Sequence, residues 1–108
     1  MRDITHFIDG AAVAGVSGRF GDVFNPNTGE VQARVALASA AELDAAVASA
    51  LRAQQVWALV NPQRRARVMF EFKRLVEANM NELAEMLSSE HGKVIADSRG
   101  DVQRGLEV

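Results

Sequence analysis

The chain has 108 residues, 48% of them apolar and 24% charged, with a formal net charge of −2 and no cysteine. That length holds one small domain or part of a larger one, and the balance is that of a packed protein rather than a disordered tail. The charge gives no reason to expect nucleic acid or an anionic membrane as a partner. Without cysteine there is no disulfide framework, thiolate nucleophile or cysteine-based zinc site.

The first ten residues, MRDITHFIDG, lack the apolar run of a signal peptide, and no stretch approaches the roughly 18 apolar residues of a membrane span, so the expectation is a cytoplasmic protein. Asp9-Gly10 lies between two apolar runs in HFIDGAAVAG, the signature of a two-residue type I′ hairpin. A glycine-rich stretch with Gly15, Gly18 and Gly21 follows. Then Asn25-Pro26-Asn27-Thr28-Gly29 marks a turn between a short strand and a longer one. In the longer strand Val31, Ala33, Val35 and Leu37 alternate with Gln32, Arg34 and Ala36, the period of a half-buried strand.

Helical signals take over at Ser39. With Glu42 three residues on, it forms a capping box, and Leu43, Val47, Ala50, Leu51 and Trp57 are the expected buried stripe of a first helix. Asn61-Pro62 is a cap followed by proline at the first helical position, opening a second helix with Met69, Phe72, Leu75 and Val76 on one side. Asn79 and Asn81 suggest a break. A third helix then carries Met80, Leu83, Met86 and Leu87 and stops at Gly92. In the fourth, Ile95, Arg99, Val102 and Leu106 share one face, and the sequence ends within that pattern at Glu107-Val108, without a cap. The expectation is an α+β fold of two β-hairpins over residues 1–38 and about four helices over 39–108. Two hairpins are marginal on their own, so the chain reads as a portion of a larger fold, cut at 108.

Most chemically suggestive features have plain structural readings. The spacing G-x-x-G-x-x-G at Gly15, Gly18 and Gly21 is not the dinucleotide fingerprint, since no helix follows it. Arg64, Arg65, Arg67 and Arg74 are interleaved with Glu71, the mixed charge of a solvated helix face. His6 and His91, the two histidines, lie too far apart in sequence to suggest a metal site or a triad, and His91 suits a helix C-terminus. Arg99-Gly100-Asp101 matches an adhesion motif only by letter. Arg104 is the candidate functional residue. It lies between Val102 and Leu106, near the apolar face, and Gly105 beside it would let a ligand or another backbone come close. An arginine there needs an anion, supplied either by Asp101 or Glu107 within the chain or by a ligand.

Four stretches, HFIDG, FNPNTGEV, RRARVMFEFKRLVEANMNELAEMLSSEHGK and DSRGDVQRGLEV, together resemble the N-terminal portion of aldehyde dehydrogenases. The segment GDVQRGLEV and the helix RRARVMFEFKRL are most similar to the CoA-acylating methylmalonate-semialdehyde dehydrogenases. The resemblance implies an α/β aldehyde dehydrogenase fold in which residues 39–108 belong to the cofactor-binding domain. It implies NAD-dependent oxidation of a semialdehyde: a cysteine attacks the aldehyde, hydride passes to NAD, and the thioacyl enzyme is handed to coenzyme A with loss of CO2, giving propionyl-CoA. The catalytic and cofactor-binding residues of that chemistry lie outside these 108 residues, so the chain alone would be inactive and would bind neither NAD nor coenzyme A. The resemblance gives one residue a role here: Arg104 matches the tunnel arginine that binds the substrate carboxylate. It also leads to the expectation of a homo-oligomer, acting on a small semialdehyde without nucleic acid or membrane. Rival readings are an aldehyde dehydrogenase for another carboxylated aldehyde, such as succinate semialdehyde, and a stand-alone interaction module without enzymatic role.

Overall fold

In the computed structural model, which describes residues 1–108, the elements are β1 (Arg2–Ile4), β2 (His6–Ile8), β3 (Ala11–Val13), β4 (Phe20–Phe24), β5 (Val31–Ala36), α1 (Ala40–Trp57), α2 (Pro62–Ala78), α3 (Met80–His91) and α4 (Ile95–Leu106). The expected class, two hairpins followed by four helices, is what folds. The chain divides into two units, Met1–Phe24 with Val31–Val60, and Asn25–Glu30 with Asn61–Val108.

In the first unit β2 and β3 pair antiparallel around Asp9 and Gly10, whose φ angles of 54° and 75° are both positive, as a type I′ turn requires. β4 and β5 pair antiparallel, as their turn chemistry indicates, with a shift of register between Val23 and Phe24. Sequence pattern missed β1, which lies parallel to β5 and makes the sheet three-stranded in the order β1-β5-β4. Its three residues carry no alternation of their own; Asp3 stands opposite Arg34 and ion-pairs with it at 3.1 Å. The same guanidinium lies 4.8 Å from the ring centre of Phe20 on β4, so one arginine spans all three strands. The simple alternation expected in β5 needs correction. Ala33 is buried, as expected, yet Ala36 is buried too, although it falls on the side assigned to polar residues, because the segment around Gly15 packs against it.

The start of α1 is the most densely bonded junction of this unit. Ser39 Oγ accepts from the Glu42 amide at 3.2 Å, and Glu42 Oε2 accepts from the Ser39 amide at 2.8 Å, the two halves of the capping box. Glu42 also reaches outside the helix: its Oε1 accepts the Val16 amide at 2.7 Å. Nearby, Arg19 donates to the Ala38 carbonyl at 2.9 Å, the Leu37 amide to the Arg19 carbonyl at 3.0 Å, and Ser17 Oγ to the Leu37 carbonyl.

The expected burial of the α1 stripe is overturned. Leu43 is 59% exposed, and Val47, Leu51 and Trp57 are also open. The β2–β3 hairpin instead lies along the small-residue side of the helix, where His6, Ile8 and Val13 share a cleft with Ala45, Ala46 and Ser49. Met69, Phe72 and Leu75 of α2 are likewise exposed, Phe72 at 60%. No helix is long and apolar enough to cross a membrane.

In the second unit Asn61 caps α2 by accepting from the Arg64 amide at 2.9 Å, with Pro62 as the first helical residue. The chain breaks at Asn79, where α3 begins. α4 then folds back along α3, and the contact is made close by small side chains: Ala84 and Ser98 are both completely buried, and Ser98 Oγ hydrogen-bonds Ser88 Oγ at 2.7 Å. Arg99 donates to Asn81 further along. Between these helices Gly92 adopts φ 85°, the left-handed conformation of a helix C-terminus, and a Cβ there would stand 3.0 Å from the Pro26 ring.

Two expectations follow. Glu42 is held at a pKa of about 2 instead of 4.5, chiefly by the Ser39 amide and then by that of Val16. Since the folded value is the lower one, its stabilisation is complete above 4.5 and is lost as the pH falls from there toward 2. The Tm difference between the native chain and Glu42→Gln is therefore constant near neutrality and closes through that acid window; a difference independent of pH would contradict the assignment. Gly92→Ala costs about 1–2 kcal/mol for the left-handed backbone, with a further loss against Pro26; denaturant unfolding measures it, and an unchanged midpoint would contradict it.

Candidate functional site

α4 carries the one residue to which sequence assigned a functional role. Arg104, expected near the apolar face of α4, has a side chain that is 80% exposed. The reason is local. Val102 and Leu106, two residues to either side, line a cleft of about 730 Å³ that they share with Met69, Phe72 and Val76 of α2, and Arg104 is not part of that lining. Gly105 does line that cleft, and nothing lies within 4 Å of where its Cβ would be. The backbone beside Arg104 is thus open to close approach, as its glycine suggested.

Of the two intrachain anions considered for Arg104, neither forms a hydrogen bond with it. Glu107 instead accepts from Gln103 at 3.2 Å. Asp101, one helical turn before Arg104, is 3.9 Å away at its nearest, outside hydrogen-bonding range. Asp101 is bound by Lys93. This ion pair was invisible to helical periodicity, because Lys93 lies in the connection after Gly92 and reaches α4 only through the left-handed turn. The Lys93 hydrogen bond, foremost, keeps the Asp101 carboxyl ionised to below the usual aspartate range, with smaller contributions from the charges of Arg104 and His91.

The other singled-out residues have structural places. Arg74 makes a two-pronged pair with Glu71 at 2.6 and 2.8 Å, the solvated helix face expected of it. Arg99 and Asp101 are engaged by Asn81 and Lys93 within α4, so the Arg99-Gly100-Asp101 tripeptide is helix and not an adhesion loop. His91 is in the last turn of α3. His6 Nε2 is buried without a hydrogen-bond partner, 3.8 Å from Glu42 Oε1. No three His, Cys, Asp or Glu side chains converge as metal ligands. Nor do the glycines form a phosphate cradle, since Gly21 lies within β4 and the helix that follows the sheet begins at Ala40, its N-terminus already filled by the carboxylate of Glu42. The glycine-rich segment therefore does not fit the phosphates of a dinucleotide.

Comparison with known proteins gives one consistent result. Residues 13–108 match the model of the aldehyde dehydrogenase family. Malonate-semialdehyde dehydrogenase 3 of Geobacillus kaustophilus is 46% identical over 106 residues, covering 98% of this chain and 22% of that protein. A protein of Sinorhizobium meliloti 1021, described as a methylmalonate-semialdehyde dehydrogenase and solved in complex with NAD, is 64% identical with a TM-score of 0.97 over 99% of this chain and 22% of its own. The methylmalonate-semialdehyde dehydrogenase of Oceanimonas doudoroffii is 40% identical with a TM-score of 0.95, again over 99% of this chain and 22% of its own. The chain thus spans 22% of the length of these relatives. With the fold and the sequence in agreement across nearly all of its residues, the chain belongs to the aldehyde dehydrogenase family.

Proposed function

We propose that these residues are the N-terminal part of an NAD-dependent, CoA-acylating dehydrogenase acting on methylmalonate semialdehyde or a close carboxylated relative, and that Arg104 binds the carboxylate of the substrate. The observation that carries this reading is Arg104 itself: exposed, without a hydrogen-bonded anion of its own, and beside a glycine with open space around it. The relatives support it, since malonate semialdehyde and methylmalonate semialdehyde each carry a carboxylate at the end opposite the aldehyde. A guanidinium meets a carboxylate with two parallel hydrogen bonds, fixing both the position and the direction of the chain that carries the aldehyde.

In this reading the 108 residues contribute orientation and scaffold. NAD would accept the hydride and coenzyme A the acyl group, at groups supplied elsewhere in the enzyme, and no step of that chemistry is assigned to residues here. The open faces of α1 and α2 are then surfaces made to be covered by the rest of the enzyme or by another subunit of a homo-oligomer. Another carboxylated semialdehyde would use the same arginine, and substrate length separates the two cases.

In the full enzyme, Arg104→Leu raises KM for carboxylated aldehydes by roughly ten- to a hundredfold, the loss of a bidentate charge-assisted contact, and leaves uncharged aldehydes nearly unaffected. Equal effects on both classes in steady-state kinetics would remove the carboxylate role. The 108-residue chain alone self-associates through its open apolar faces, and a monodisperse monomer by sedimentation would contradict that.

A further inference from the structure

An aspartate and an arginine three residues apart on a helix ordinarily pair, and Asp101 and Arg104 have that spacing. Here the pair is loose: Arg104 comes within ion-pair distance of Asp101 at 3.9 Å but does not hydrogen-bond it. Asp101 presents Oδ2 to Lys93, while its other oxygen, Oδ1, is the one nearest Arg104, at 3.9 Å. The two cations compete unequally. Lys93 is only 22% exposed and is anchored on the turn that Gly92 makes against Pro26, whereas Arg104 is 80% exposed on a long, free side chain. An ammonium already seated on the carboxylate cancels much of its pull on a second cation, and also much of its repulsion toward an incoming anion.

We propose that Lys93 is a positioning residue for substrate recognition: by occupying Asp101 it keeps the guanidinium of Arg104 free for the carboxylate of the aldehyde substrate. The inference rests on the carboxylate role of Arg104 proposed above. Without the ammonium, Asp101 would do two things, draw Arg104 back along the helix and repel the substrate carboxylate, and both act in the same direction.

The test is steady-state kinetics of the full enzyme with a carboxylated semialdehyde and an uncharged aldehyde of equal length, with the Tm of each variant recorded. Lys93→Met is expected to raise KM for the carboxylated substrate by roughly tenfold, the weakening of one charge-assisted contact, with little change in kcat or in KM for the uncharged one. Lys93→Arg, which keeps the cation, retains most of the native KM. The deciding variant is Lys93→Met/Asp101→Asn. Removing the competing carboxylate should return KM toward the native value, whereas a lysine that merely clips the α3–α4 connection to α4 gains nothing from losing its partner as well. Absence of that rescue, or equal effects of Lys93→Met on both substrates, overturns the proposal while leaving Arg104 in place. If Arg104→Leu itself fails to discriminate the substrates, the carboxylate reading falls, and the role of Lys93 falls with it.

Discussion

A single carboxylate organises the first unit. Glu42 takes the Ser39 amide with one oxygen and the Val16 amide with the other, so the group that completes the cap of α1 also binds the segment leading into the sheet. Helix N-termini leave several amides without partners, and a negative charge placed there is favoured by the dipole as well as by the hydrogen bonds. The neighbouring bonds from Ser17, Arg19 and Leu37 all lie within the same junction, so its geometry is set by backbone contacts rather than by a large hydrophobic core. That suits a unit whose buried positions are two alanines of β5.

The second unit reaches its geometry by size. Ala84 and Ser98 allow α3 and α4 to approach, and Gly92 allows the chain to reverse against Pro26. That reversal delivers Lys93 to Asp101, and with Asp101 occupied Arg104 remains available at the end of α4. The path from a glycine conformation to the state of an arginine is short, and each step is a named contact. A change at Gly92 would therefore be felt at Asp101 and Arg104 on α4 as well as in stability.

Local chemistry made the sequence readable where an element is defined by its own residues. The Asp9-Gly10 turn, the Ser39–Glu42 box, the Asn61-Pro62 start, the break at Asn79 and the stop at Gly92 all have their reasons within a few positions. β1 was missed because its partner is thirty residues away and parallel, a pairing that no local pattern encodes. The stripes of α1 and α2 are amphipathic, as periodicity indicates, and the one expected to be buried, that of α1, is exposed, since periodicity reports which face seeks cover and not whether cover is present. The role of Arg104 came from resemblance, while its exposure and the Lys93–Asp101 pair needed coordinates.

The central claim, that Arg104 is held free of its own helix to meet a substrate carboxylate, is tested most directly by a crystal structure of the full enzyme with an unreactive dicarboxylate in the substrate tunnel. The account requires the guanidinium to hold one carboxylate through two hydrogen bonds while Lys93 stays on Asp101. A ligand carboxylate bound by other groups, with Arg104 folded back onto Asp101, would contradict it.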